Sequence, residues 1–178
     1  MTGATVEPKQ TGMRVEYKDM PALRVAAVRH RGPYHQIAEA FGRLGEVAAA
    51  AGLQDAPGTM LAVYHDDPAV TPVAELRSDA ALVLGEGTAL PPGLAELILP
   101  AGRYAVTTYV GSYQFLGEAW ARLRQQVTAA GQDPSRGVPG YEIYRNTPET
   151  VPEAKLLTEL YLPVAETASA TSGPKARS

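Results

Sequence analysis

Apolar positions in this chain follow two periods in turn, and the whole series occurs twice. Leu23 to His30 is an apolar, β-branched run that reads as a strand. Gly32-Pro33 turns the chain. Ile37, Phe41, Leu44 and Ala48 then recur at i, i+4, i+7 and i+11, the stripe of an amphipathic helix. Gly52 stands where that helix should stop, in a C-cap role. Met60 to His65 predicts another strand, Asp66-Asp67-Pro68 a turn, and Glu75 to Leu84 a further strand. Gly85 to Gly93, with Pro91-Pro92, joins this series to the next. There the strand is Arg103 to Val110, and the helix stripe is Leu116, Trp120, Leu123 and Val127. Strands follow at Tyr141 to Arg145 and Lys155 to Leu162. Short lead-in strands are predicted at Arg14 to Lys18 and Leu94 to Leu99.

The two series match residue by residue. Pro21-Ala22-Leu23-Arg24-Val25-Ala26 aligns with Pro100-Ala101-Gly102-Arg103-Tyr104-Ala105 at an offset of 79. The same offset pairs Gly32 with Gly111, Tyr34 with Tyr113, Phe41 with Trp120 and Gly52 with Gly131. After a one-residue insertion the offset becomes 80, pairing Tyr64 with Tyr144, Pro72 with Pro152 and Leu76 with Leu156. A period this long, occurring twice, denotes a duplicated domain rather than a solenoid. The expected fold class is α+β: tandem duplicated βαββ repeats, an antiparallel sheet with two helices on one face and an open concave ligand face. Each helix has one apolar stripe, so both should cover the same face, leaving the other bare at the seam between repeats. The folded domain is expected over 13–164, with repeat one at 13–85 and repeat two at 93–164. Polar, patternless tails are expected to be disordered at 1–12 and 165–178.

Composition narrows the chemistry. The 178 residues carry 16 Lys and Arg against 19 Asp and Glu, a net charge of −3. No basic stripe supports direct binding of duplex DNA. No cysteine is present, which removes disulfides, thiolate catalysis and Cys-ligated zinc. His30, His35 and His65 are too scattered for a metal site, and His30 and His35 are expected to face solvent. No cofactor is implied. No apolar run reaches the roughly 20 residues that cross a bilayer, and the N-terminus lacks a signal-peptide core. A soluble, cytoplasmic location is the expectation.

Candidate site residues come from the place where the duplication loses its symmetry. Strand side chains alternate between faces. Leu61, Val63 and Ile143 suit the helix-covered side, which sends Ala62, Tyr64, Glu142 and Tyr144 to the open side. Tyr64 and Tyr144 are mates, but Glu142 corresponds to Ala62. A lone carboxylate in an apolar strand reads as a counter-ion for a cationic ligand or a general base; it also reads as an edge-strand glutamate facing water. Flanking aromatics favour the first pair, because aromatic faces attract cations. Phe41 and Trp120 lie on helix stripes, where packing on the sheet explains them by default. Tyr34 and Tyr113 are read as capping helix entry. Tyr104 and Tyr109, five apart on one strand, should point to opposite faces, so one serves the pocket. His65 and Asp66-Asp67 read as solvated turn residues, and the mates Asp79 and Glu159 as sharing a structural role.

Several of these segments together resemble a known family. Arg29-His30-Arg31-Gly32-Pro33-Tyr34, Ala101-Gly102-Arg103-Tyr104-Ala105-Val106, Gly111-Ser112-Tyr113, Glu118-Ala119-Trp120, Tyr141-Glu142-Ile143-Tyr144 and the Leu156 to Val164 segment are, in order and spacing, similar to the GyrI-like small-molecule-binding domains. That family includes stand-alone proteins and the effector-binding domains of multidrug-sensing transcription regulators. The resemblance implies a duplicated βαββ fold. It implies an acidic drug-contacting residue at Glu142 and pocket aromatics at Phe41, Tyr104 and Tyr109, with Trp120 added as the mate of Phe41. It also implies that Leu156 makes one side of the pocket more apolar than in the regulators. No helix-turn-helix flanks the domain, so a stand-alone form is expected.

The resulting expectation is a multidrug-binding protein for flat, lipophilic, often cationic aromatic molecules, with Glu142 as counter-ion. Two further activities of the resembled family stay open. One is hydrolysis of cyclopropane-bearing DNA-alkylating natural products, with Glu142 positioning water. The other is interaction with DNA gyrase.

Overall fold

A computed structural model describes residues 13–53 and 59–165. The predicted tails lie outside the described residues, except that Ala165 donates its backbone N–H to the carbonyl of Asp133. Ten elements follow in order: β1 (Glu16–Met20), β2 (Leu23–Arg31), α1 (Ala38–Ala50), β3 (Met60–Tyr64), β4 (Arg77–Val83), β5 (Ala95–Leu99), β6 (Gly102–Val110), α2 (Leu116–Ala129), β7 (Gly140–Tyr144) and β8 (Leu157–Pro163). Each predicted strand and helix is present, displaced by at most two residues at most ends. Each helix is entered through a single 3₁₀ turn, Tyr34–Gln36 or Tyr113–Phe115. Each is followed by a glycine at positive φ, Gly52 (+73°) or Gly131 (+79°), the conformation that ends a helix with least steric cost.

The eight strands form one antiparallel sheet in the order β1-β6-β8-β7-β3-β4-β2-β5. The lead-in strands are exchanged. β1 precedes repeat one yet pairs with β6 of repeat two, and β5 precedes repeat two yet pairs with β2 of repeat one. Each repeat thus closes the sheet edge of the other.

The seam is the β3–β7 pair, in which Ala62 faces Glu142, Leu61 faces Ile143 and Val63 faces Tyr141. Ala62 and Glu142 are also repeat mates, so the pseudo-twofold axis passes between them.

Both faces of the sheet are covered. α1 buries Ala40, Leu44 and Ala48 against Ala26, Val28, Ala80 and Leu82. α2 buries Leu116, Ala119, Trp120, Leu123 and Val127 against Ala105, Leu160 and Leu162. On the opposite face the curled sheet packs onto itself: Val25, Leu61, Val63, Leu99, Tyr104, Val106, Tyr141, Ile143 and Tyr161 form a third core. Tyr141 stacks on Tyr161 with centroids 4.7 Å apart and planes at 11°, and Tyr104 meets Tyr141 edge-on at 5.5 Å. The Tyr104 hydroxyl is satisfied by the carbonyl of Pro100 at 2.7 Å. Tyr104 and Tyr161 thus supply large apolar area with a polar tip that still finds a partner.

This corrects the expected facing. Leu61, Val63 and Ile143 lie on the side away from the helices, and Tyr64, Glu142 and Tyr144 lie on the helix-bearing side. The alternation within each strand is as expected. The face opposite the helices is not bare, because sheet curl and the exchanged edge strands fill it.

Two polar groups close the corners of that far core. Asp79 accepts from Arg29 at 2.8 Å and bonds His65, while Glu159 accepts from Arg145 and from the Tyr161 hydroxyl at 2.8 Å. Asp79 and Glu159 therefore hold equivalent posts. His65 and Asp66 are not simple solvated turn residues: His65 is largely buried on Asp79, and Asp66 accepts from the Arg77 guanidinium at 2.9 Å.

Candidate functional site

The two helices stand apart over the seam strands, and the gap between them is a cavity of about 1690 Å³. The seam itself dictates its chemistry. On the helix-bearing side β7 contributes Glu142 and Tyr144, and β3 contributes Tyr64. The α1 stripe contributes Phe41 and the α2 stripe Trp120, each pointing at the sheet from its own side. The turns before the helices contribute Tyr34 and Tyr113.

These six aromatic residues form three symmetry pairs, and their contacts repeat. Tyr34 meets Tyr64 at 4.7 Å and Tyr113 meets Tyr144 at 5.4 Å. Phe41 meets Tyr144 edge-on at 5.8 Å, and Trp120 meets Tyr64 edge-on at 6.0 Å. The cavity is therefore an aromatic cage with two halves, each built from residues of both repeats.

Glu142 sits on the axis at the centre of this cage and is only 1% exposed. Trp120 Nε1 donates to Glu142 Oε1 at 2.6 Å, and the Tyr144 hydroxyl donates to Oε2 at 2.7 Å. The Tyr64 hydroxyl makes a further hydrogen-bonding interaction with the carboxylate. Burial raises the Glu142 pKa above the usual carboxylate range, and the three donors act in the opposite direction. The same burial, together with the charge on Glu142, holds the Tyr64 and Tyr144 phenols well above their ordinary value. A buried carboxylate met only by neutral donors lacks a counter-charge. That arrangement attracts a cation, and rings around it supply π faces for the same charge.

The other predicted site residues lie elsewhere. Ala62 is fully buried opposite Glu142, and its methyl is not part of the cavity wall. Tyr104 and Tyr109 do face opposite sides, but neither lines the cavity. Tyr104 is in the far core, and Tyr109 lies beside α2 with its hydroxyl on the carbonyl of Ser112 at 2.8 Å. Leu156 is buried just ahead of β8, where its carbonyl accepts from Gly111 N–H. Tyr34 and Tyr113 were read only as helix-entry residues. Their repeat relationship and their place directly after the glycine turns were the signal that could have grouped them with Phe41 and Trp120. His65 and His35 both reach the cavity wall, and His35 is exposed there, as expected. Among the described residues no helix is long and apolar enough to cross a membrane.

Known proteins share this chain's sequence and fold. The chain is 35% identical over 131 residues to DNA gyrase inhibitor 2 of Dickeya dadantii (strain 3937), covering 71% of this chain and 82% of that one. The EcmrR C-terminal domain superposes with a TM-score of 0.73 at 18% identity, covering 87% of this chain and 99% of the other. SAV2435, solved bound to tetraphenylphosphonium, superposes with a TM-score of 0.63 at 15% identity, covering 86% of this chain and 94% of the other. The model of the GyrI-like small molecule binding domain matches residues 13–165. With every described residue inside that match, the chain belongs to the GyrI-like small-molecule-binding family.

Proposed function

We propose that this protein binds flat, lipophilic aromatic cations in the cavity between its helices, with Glu142 as their counter-ion. The observation that carries the reading is the single buried carboxylate on the pseudo-twofold axis, ringed by six aromatic residues and bonded only to neutral donors. A ligand cation would take the place of those donors at Glu142 and lie between the rings. The lipophilic body of the ligand would replace cavity water. Each cation–π contact contributes roughly 0.5–2 kcal/mol, more when desolvated. SAV2435 with its phosphonium ligand is a fold neighbour that supports the class of ligand.

Trp120 is the sole tryptophan in the chain, so intrinsic fluorescence reports on the cage directly. Titration with tetraphenylphosphonium should change that emission saturably, in the micromolar range. Glu142→Gln should weaken the phosphonium by about tenfold or more, equivalent to about 1.4 kcal/mol. It should leave a neutral tetraphenyl analogue within about twofold. Equal losses for both would remove the counter-ion role.

A second reading, interaction with DNA gyrase, is favoured by the identity to a protein named DNA gyrase inhibitor 2. Purified protein should then lower gyrase supercoiling in a dose-dependent way. Supercoiling that stays unchanged at a large molar excess argues against it.

A further inference from the structure

The cavity has a second broken symmetry, at its rim. Arg124 lies one helical turn after Trp120 on α2, and its repeat mate on α1 is Gly45. The Arg124 guanidinium rests over the Trp120 ring, 5.7 Å from the centroid, and the side chain is part of the cavity wall. Among the described residues it makes no salt bridge. Its charge is also felt at the Tyr34 hydroxyl, on the repeat-one side of the mouth. Asp66, another acid of the cavity wall, is already committed to Arg77.

One indole therefore has an uncompensated anion at its edge and an unpaired cation over its face. A simple cationic ligand would compete with Arg124 for the Trp120 face and be repelled by it. A ligand that also carries an acidic group would convert that repulsion into an ion pair with a guanidinium, which is suited to carboxylate recognition.

We propose that the preferred ligands are amphoteric planar aromatics, with the cationic centre directed to Glu142 and an acidic group paired with Arg124 across the span of Trp120. This rests on the cation-binding reading above and specifies the ligand class of the same site. Arg124 then acts as a specificity-determining residue, selecting zwitterions over bare cations.

The test uses two dyes with one ring system: a rhodamine methyl ester, which is a cation, and the corresponding free acid, which is a zwitterion at neutral pH. Binding to the full chain is followed by dye anisotropy. Wild type should bind the free acid about tenfold more tightly than the ester. Arg124→Gln should abolish or reverse that preference, by weakening the acid and sparing or strengthening the ester. Arg124→Lys should retain part of it, and circular dichroism should show all variants folded. Glu142→Gln should weaken both dyes. If both dyes bind through Glu142 but Arg124→Gln leaves their ratio unchanged, the amphoteric preference is overturned and cation binding survives. The same holds if wild type prefers the ester. If neither dye nor tetraphenylphosphonium binds wild type, both readings fall.

Discussion

Ala62 and Glu142 are at once repeat mates and cross-strand partners, so the pseudo-twofold axis passes between their Cα atoms. The other mates on these two strands, such as Leu61 with Tyr141 and Val63 with Ile143, are not directly opposed. On the axis Ala62 and Glu142 are neighbours, and a carboxylate on both would set like charges side by side in a buried site. The asymmetry of the cage follows from that geometry: one axial position carries the acid and the other must stay small and neutral.

Ala62→Glu tests this directly. The second carboxylate would enter a fully buried position facing Glu142. We expect a loss of about 3 kcal/mol or more in urea unfolding, or failure to fold. Adding Glu142→Ala to the same chain should recover part of the loss. Ala62→Glu with unchanged stability would contradict the axial placement.

Glu142→Gln should make the unliganded protein more stable at neutral pH. Burial raises the Glu142 pKa, so the folded state takes up its proton more readily than the unfolded chain. The stability linked to that group is present below the unfolded value and is lost as pH rises through the folded one. Gln removes the charge that must otherwise be buried. The variant's thermal midpoint should exceed that of wild type above the folded pKa, by about 2–4 °C for each kcal/mol. The gap should narrow as the pH is lowered towards the ordinary carboxylate range. A gap independent of pH would argue that Glu142 does not titrate in the folded state.

Trp120 and Glu142 should be energetically coupled. Trp120→Phe keeps an aromatic face but removes the indole donor at 2.6 Å. A buried carboxylate that loses a donor costs about 1–3 kcal/mol. A double-mutant cycle with Glu142→Gln, measured by chemical unfolding, should give an interaction energy of about 0.5–3 kcal/mol. Strict additivity would mean that the bond contributes nothing in solution.

Asp79 provides an acid-side counterpart. Burial alone would raise its pKa, but the bonds from His65 and Arg29 outweigh burial and lower it. Its contribution is present above the ordinary aspartate value and is lost as pH falls through the lower folded value. Asp79→Asn should therefore cost about 1–3 kcal/mol at neutral pH, and the deficit should shrink in strong acid. Asp79 itself does not line the cavity, although its partner His65 does, so phosphonium affinity should fall far less than for Glu142→Gln.

Much of this was legible in the residues. The 79- and 80-residue offsets, the helix stripes and the alternating strands specify which elements form, because those periods follow from local backbone geometry. The contrast between Ala62 and Glu142 could be read without coordinates, and so could the likeness to a ligand-binding family. Tyr104 and Leu156 were less legible. Each is apolar and regularly spaced, and a strand pattern reports only that two sets of side chains point opposite ways.

Which set meets the helices was decided by the tertiary structure. The exchange of β1 and β5 between repeats and the curl of the sheet fill the far face with Tyr104, Tyr141 and Tyr161. The candidate ligand face is thereby moved to the gap between α1 and α2. The sequence by itself determined the duplication, its elements and the one residue that breaks its axis. Only the fold decided that Trp120 of α2 would close over that residue, with Arg124 over the indole at the cavity wall. The Trp120–Glu142 bond joins positions 22 residues apart on different elements, and no local period encodes it.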